Sequence, residues 1–533
     1  MRSNREGLLR EAAGPTVWDV VVIGGGATGL GTAVEAASRG YRTLLLERGD
    51  FAKGTSSRST KLVHGGVRYL EQMNVTLVMD ALRERGYMLR NAPHLVRRQP
   101  FIVPIYRAMD TPYFGLGLKV YEWMSGKLSF GASRMLSRAE TIERLPTVEQ
   151  AGLRGGVLYL DGQFDDARYA ISLLLTLLDL GGVALNHAGV VKVLERDGRA
   201  AGVRVRDAET GNEWEVQAKA VVNAAGVFAE QVLRLDGEPR EDLLAISQGS
   251  HFVLPRTFLP GPDALMVPKT ADGRVLFAIP WHEHLVVGTT DVGVPRAEIE
   301  PRSSMEEQEF LRQHIRRYLG RDVVEGDVLS MWSGLRPLVK AGNAATAKIS
   351  RDHKVLVATN GMVTVVGGKW TTYRRMGQDA IDRVAQVCGW PAVASRTEGL
   401  RLHGATESEE AALGKWEGVY GTDAAAVRAL SAEAPELEEV LHPRLPYRRR
   451  DVVWAVRREM ARTTEDVLAR RLRALFLDAR AAIEAAPTVA AMVGAELGRE
   501  ETAVAKDLAA FKVIADGYLY REGAREERRG ERA

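Results

Sequence analysis

Apolar positions in the first fifty residues form a run, a break and a second run. Val20 to Ile23 is continuously apolar, which suits a strand buried on both faces. Leu30 to Ser38 is a small-residue helical run, and Thr43 to Leu46 is a second apolar run. GGGATG at 24–29 separates the first run from the helix. Strand, glycine turn, helix and strand in that order predict a βαβ unit. Val190–Leu194 and Ala201–Arg206 predict a hairpin around Asp197-Gly198, and Lys219 to Ala225 a strand ending at Gly226. The block from about 245 to 330 is strand-rich, with His251–Leu254, Val275–Ile279 and Leu285–Gly288. Val363 to Val366 predicts a strand, Gly367-Gly368 a tight turn, and Thr371 onward a helix. In that helix Tyr373, Met376, Ala380, Val384 and Val387 recur at steps of three and four, giving one buried face. Past about residue 400 the pattern is helical. Thr463 or Thr464 can cap a helix with Glu465 and Asp466 in its first turn and Val467, Leu468, Leu472, Leu475 and Phe476 on its apolar side.

The predicted fold is α/β, a Rossmann-like domain with an inserted β-rich cap and an all-α C-terminal domain. Its divisions are an N-terminal extension (1–17), the main domain (18–400, cap included), a helical domain (401–520) and a disordered tail (521–533). A chain of 533 residues with 45% hydrophobic content can bury more than one core. The net charge of +3 is too small to argue for nucleic acid. Cys388 is the sole cysteine, which excludes an intrachain disulfide and a cysteine-based metal site. Met1 to Thr16 lacks the apolar core of a signal peptide, and the most apolar stretch, Ile171 to Leu185, is broken by Asp179 and two glycines. The expected location is cytoplasmic, or peripheral on the inner face of the membrane.

Gly24, Gly26 and Gly29 carry the G-x-G-x-x-G spacing, and Glu47 follows Gly29 by 18 residues. In this strand–turn–helix–strand setting they form a dinucleotide fingerprint. Gly24 permits the turn, Gly26 lets backbone approach a pyrophosphate, Gly29 allows close helix–strand packing, and Glu47 can bind a ribose hydroxyl. A second informative stretch is TSSRSTKLVHGGVRYL at 55–70. Thr55, Ser56, Ser57, Lys61, Gly65 and Gly66 could face a pyrophosphate or ring; a solvated surface loop is the alternative. Gly226, Gly367, Gly368, Lys369 and Thr371 are further candidate cofactor contacts. His282-Glu283-His284 reads as a hairpin tip rather than a metal site, since adjacent side chains in a turn do not converge. Arg448-Arg449-Arg450 is either a solvated face or a lipid contact, and Tyr113 to Leu136 either core or an interfacial segment.

GGGATG, SSRSTKLVHGGVRYLE, YLDGQFDDAR at 159–168, QGSHFV at 248–253, GTTD at 288–291, SGLRPL at 333–338 and GGKWTTYR at 367–374 occur in that order. Together they resemble the FAD-dependent glycerol-3-phosphate dehydrogenase family over residues 18 to about 400, and the C-terminal helices resemble that family's accessory domain. The resemblance implies FAD as cofactor and oxidation of sn-glycerol 3-phosphate to dihydroxyacetone phosphate. It also implies hydride transfer to flavin N5 and a membrane quinone as acceptor. An oxidase making hydrogen peroxide and a non-catalytic flavin protein are the competing readings. Peripheral contact with an anionic membrane and a homodimer complete the expected partners. Arg68, Tyr69, His251 and Arg336 are the expected substrate contacts, because a phosphate dianion calls for arginine. His64, Arg336 and Lys369 are the expected catalytic residues: His64 as proton acceptor, with His251 as the other candidate, and Lys369 to stabilise charge on the reduced flavin. Gln248 stands where the family usually has lysine, which would remove a positive charge near the substrate.

Overall fold

Residues 4–65, 75–107, 130–237, 243–268, 270, 274–340, 352–407 and 416–522 are described by the structure, a computed structural model. Gly66, Arg68 and Tyr69, most of Tyr113–Leu136, and all but the first two residues of the expected tail lie outside them.

Two sheets organise the chain. In the first, Val17–Ile23 lies parallel to Thr43–Leu46 on one side and Glu213–Asn223 on the other. Val183–Leu185 extends one edge, and Val363–Gly367 with antiparallel His353–Val357 the other. The predicted hairpin is present as Ala188–Arg196 and Arg199–Asp207, and it joins this sheet through Glu213–Asn223. Val20, Val21, Val22, Leu44 and Leu45 are completely buried, as continuous apolar runs in a parallel sheet should be. Helices Ala27–Ser38, Asp166–Asp179 and Tyr373–Cys388 cover the sheet and share its core. Tyr373, Met376, Ala380 and Val384 form the predicted buried face, and Cys388 ends the helix half-buried.

The second, mostly antiparallel sheet roofs the first. Leu244–Pro255 is its long strand, flanked by His284–Gly288 and Ser330–Val339. The block at 245–330 supplies only part of it. Val96–Ile105, Gly155–Phe164 and Leu62–Val63 join from earlier in the chain, so the cap is assembled from separated segments.

The helical segment after residue 400 is fastened to both layers. Its Val467, Leu468, Leu472, Leu475 and Phe476 pack with Val253, Trp281, Val286 and Trp332 of the cap. Thr463 caps as expected, its Oγ1 accepting from the N–H of Asp466 at 3.1 Å, while Thr464 donates to Asp507. The next turn, Asp466–Arg471, is wound as a π-helix and carries fully buried arginines. Arg470 and Arg471 donate to Asp50 of the first domain at 2.5 Å and 2.7 Å, and Arg470 also pairs with Glu465 and Asp466. Asp50, His187 and Asp466 have metal-ligand geometry, but these two guanidiniums already neutralise the carboxylates. The Arg448–Arg450 run is not a plain solvated face: it pairs with Glu417, Glu438 and Glu439, and Arg450 is buried.

Candidate active site

Between the sheets lies a cavity of about 780 Å³. Its first end is the glycine turn. Gly24 has φ +110°, and a Cβ there would stand 2.7 Å from the Ala224 carbonyl oxygen. A Cβ on Gly29 would overlap the Gly24 carbonyl, so its role is packing behind the cavity wall. Gly26, Ala27 and Thr28 at the start of the helix face the cavity, and Gly26 puts no side chain into the space. Glu47 lines the same end, its carboxylate accepting from the N–H groups of Gly25 at 2.7 Å and Gly49 at 2.8 Å. Gly226, Gly367, Gly368, Lys369 and Thr371 also line the wall.

The loop Thr55–Thr60 lines the cavity and bonds to the dinucleotide helix, to Trp370 and to the cap. Ser56 Oγ accepts from the N–H of Ala27 at 2.9 Å, and its carbonyl accepts from Trp370 Nε1 at 2.8 Å. Thr55 Oγ1 donates to the Leu335 carbonyl at 2.6 Å, and Thr60 Oγ1 lies 3.0 Å from His251 Nε2. Ser57 and Lys61, expected beside the cofactor, are instead fully buried behind the loop, off the cavity wall, and Gly65 is off it too. Lys61 Nζ donates to Asp166 at 2.7 Å and to the Ser57 carbonyl at 2.8 Å. Burial pushes this ammonium down to about 7, against the opposing pull of Asp166.

The far end is lined by His64, His251, Arg274, Arg336 and Thr289 beneath apolar Phe101, Tyr159, Met266 and Phe277. Arg336 Nη2 donates to Thr289 Oγ1 at 3.0 Å and the Thr290 carbonyl at 3.2 Å; Nη1 donates to Ser247 at 3.2 Å and lies 3.7 Å from Asp291. His251 is stacked on Trp332 with ring centroids 4.0 Å apart. Burial, then the Lys61 and Arg336 cations, hold its imidazole well below the ordinary histidine range, so it is neutral near pH 7.

Strand alternation answers the question raised by Gln248. Ser247, Gly249 and His251 share the cavity face of Leu244–Pro255, whereas Gln248 and Ser250 point behind it. Gln248 Nε2 donates to Glu307 at 2.7 Å, so this position takes no charge from the cavity. Among residues the sequence did not single out are Arg58, paired with Glu300 at 2.7 Å, and Arg274, Thr60 and His187, all on the wall. Gly249, Gly288 and Gly334 were also missed. A Cβ on them would strike Arg336 Nη2 at 2.2 Å, His251 Cδ2 at 2.3 Å and the Arg58 carbonyl at 2.5 Å. The signal was present, because each glycine sits inside QGSHFV, GTTD or SGLRPL. His282 and His284 occupy the predicted hairpin tip; His282 pairs with Asp165 at 2.9 Å.

A parallel sheet with a dinucleotide turn, opening into a cavity roofed by an antiparallel sheet, defines a FAD-dependent oxidoreductase. The family of FAD dependent oxidoreductases matches residues 19–374, and the C-terminal domain of alpha-glycerophosphate oxidase matches 363–504. A probable mitochondrial glycerol-3-phosphate dehydrogenase of Caenorhabditis elegans is 39% identical, covering 93% of this chain and 72% of its own. The Homo sapiens mitochondrial glycerol-3-phosphate dehydrogenase is 36% identical over 93% of this chain and 73% of its own. A crystal structure of the Bacillus halodurans glycerol-3-phosphate dehydrogenase complexed with FAD superposes with a TM-score of 0.80 at 26% identity, over 97% of this chain and 98% of that one. The chain belongs to the FAD-dependent glycerol-3-phosphate dehydrogenase family.

The residues present fit FAD. A Cβ on Gly26 would meet only Ser56 Oγ, at 3.0 Å, so the turn has no side chain where a pyrophosphate must approach. Glu47 lines the same end, and the cavity continues past Lys369 and Trp370 to the histidine and arginine end.

Proposed function

We propose that this chain oxidises sn-glycerol 3-phosphate to dihydroxyacetone phosphate with bound FAD, and that the electrons pass on to a membrane quinone. The observation that carries this reading is a single cavity with a dinucleotide turn at one end and His64, His251, Arg274 and Arg336 at the other. When bound, FAD supplies the hydride acceptor. Gly24, Gly26, Glu47, Ser56, Gly226, Gly368, Lys369 and Thr371 would hold it. Arg336 offers its guanidinium charge to the phosphate, at a position fixed by Ser247, Thr289 and Thr290. His251, neutral and tied through Nε2 to Thr60, shapes the wall beside the substrate and is a weak base. His64 is therefore assigned the alcohol proton. Phe101, Tyr159, Met266 and Phe277 exclude water from the reacting carbon. Arg68 and Tyr69 remain proposed substrate contacts on the resemblance alone.

No helix among the described residues is long and apolar enough to cross a membrane. Quinone reduction then calls for peripheral contact with a membrane surface, and pairing as a homodimer belongs to the same reading. The test is anaerobic addition of sn-glycerol 3-phosphate to the FAD-loaded protein. The flavin absorbance should bleach, and a soluble quinone should restore it. A flavin that stays oxidised refutes the activity, and rapid stoichiometric peroxide formation in air makes the protein an oxidase.

A further inference from the structure

The loop Thr55–Thr60 touches the dinucleotide helix, Trp370 after the Gly367-Gly368 turn, and the cap, yet its own backbone is held from behind. Asp166 is the anchor. Its Oδ2 accepts from the Ser59 N–H at 3.0 Å, Ser59 Oγ at 2.7 Å and Lys61 Nζ at 2.7 Å. Its Oδ1 accepts from the Ala167 N–H at 2.9 Å and Arg473 Nη2 at 3.0 Å. The same Arg473 nitrogen donates to the Ser57 carbonyl at 2.9 Å, which also receives Lys61 Nζ. Asp166, Lys61 and Arg473 side chains are completely buried, and the two cations sit over the ring of Phe476. Breaking such a set leaves uncompensated charge in the interior, so the loop has little freedom to shift while the set is whole.

Arg473 arrives from the C-terminal helical segment, not from either sheet. It follows the π-turn Asp466–Arg471 by two residues and has φ +68°, a left-handed conformation that surrounding contacts must hold. We propose that Asp166, Lys61 and Arg473 are positioning residues for the reaction. They fix the Thr55–Thr60 loop so that Thr60 orients His251 and Ser56 closes the cofactor wall, which makes the C-terminal segment part of the active-site machinery. The proposal rests on the activity stated above.

The test uses the FAD-loaded full chain under anaerobic conditions with sn-glycerol 3-phosphate. Arg473→Met should lower the limiting rate of flavin reduction tenfold or more while the substrate concentration at half-maximal rate stays within threefold. Arg473→Lys, which keeps the charge but loses the second guanidinium nitrogen that holds the Ala469 carbonyl at 2.8 Å, should recover part of the rate. The double variant Arg473→Met/Thr60→Val should be no slower than the slower single variant, because both act through one loop. FAD release on dilution, followed by flavin fluorescence, should be at least fivefold faster in Arg473→Met. Wild-type reduction and wild-type FAD release in a loaded Arg473→Met protein overturn the proposal, as do multiplying effects in the double variant. If Arg473→Met does not fold, Ser59→Ala removes one loop anchor with no change of charge and must show both effects in smaller measure; wild-type values there also overturn it. Failure of the wild type to bleach would refute the activity instead, and the FAD-release comparison would still judge the loop.

Discussion

Gly249→Ala is a one-carbon test of whether Arg336 holds the substrate. The added Cβ would stand 2.2 Å from Arg336 Nη2 and 2.5 Å from Thr289 Oγ1. Ordinary non-bonded contact needs about 3.5 Å, so the guanidinium must retreat by roughly 1 Å. Its bonds to Thr289 and the Thr290 carbonyl, at 3.0 Å and 3.2 Å, cannot both survive that movement. Misplacement on this scale costs on the order of 100-fold where geometry governs rate. Outright removal in Arg336→Ala loses charge-assisted hydrogen bonds of about 1.5–3 kcal/mol each, or about 10- to 150-fold in kcat/KM per bond. Arg336→Lys should fall between, since a point charge replaces the fork. Anaerobic stopped-flow reduction across substrate concentrations gives kcat/KM for each variant. Near-normal kcat/KM in Arg336→Ala would remove this residue from the site. A crippled Arg336→Ala beside a Gly249→Ala enzyme within threefold of wild type would refute the argument that guanidinium position matters.

Other outcomes follow from the same geometry. Gly26→Val should abolish FAD binding by filling the approach to the turn; a purified variant with a normal flavin-to-protein ratio counts against the site. His64→Ala should slow flavin reduction far more than it weakens substrate binding, and should lose the pH dependence of the wild-type rate. A pH dependence that survives in the variant would pass the proton to another group, and one set on the acid side would point to His251, held low by burial and two cations. His403, between Asp179 at 2.6 Å and Asp423 at 2.8 Å, is pushed up to about 9 by these carboxylates against the pull of burial. Its stabilisation is complete below its unfolded value of about 6.5 and is lost as pH rises through about 9. Screening at the half-exposed Asp179 limits it to about 1–2 kcal/mol. The difference in Tm between wild type and His403→Gln should therefore shrink from pH 6 to pH 10, and a constant difference would contradict the ion-pair account.

What the sequence revealed depended on how far apart the interacting residues lie. The turn at Gly24–Gly29 is local: strand, glycine, helix and the acid Glu47 fall within one βαβ unit, and backbone sterics force the glycines. Arg336 was legible through its motif; Gly249 beneath it also sits in a motif, but the reason for that glycine is a side chain 87 residues later and has no local sign. Lys61 misled for the opposite reason. A lysine in a polar loop reads as a ligand for phosphate, yet its φ of +64° turns it inward to a carboxylate 105 positions away. The arginines at 470, 471 and 473 carry the same lesson further. Helical periodicity sees only charged positions in an apolar stretch, and charge in a core is costly unless paired. Their partners Asp50 and Asp166 lie more than 300 residues earlier and have no local signature. That cost is also an argument for their role. Removing any one member would strand the others, so a buried charge set spanning three parts of the chain is a means of holding the Thr55–Thr60 loop to a single position, and that loop is where cofactor wall and substrate wall meet.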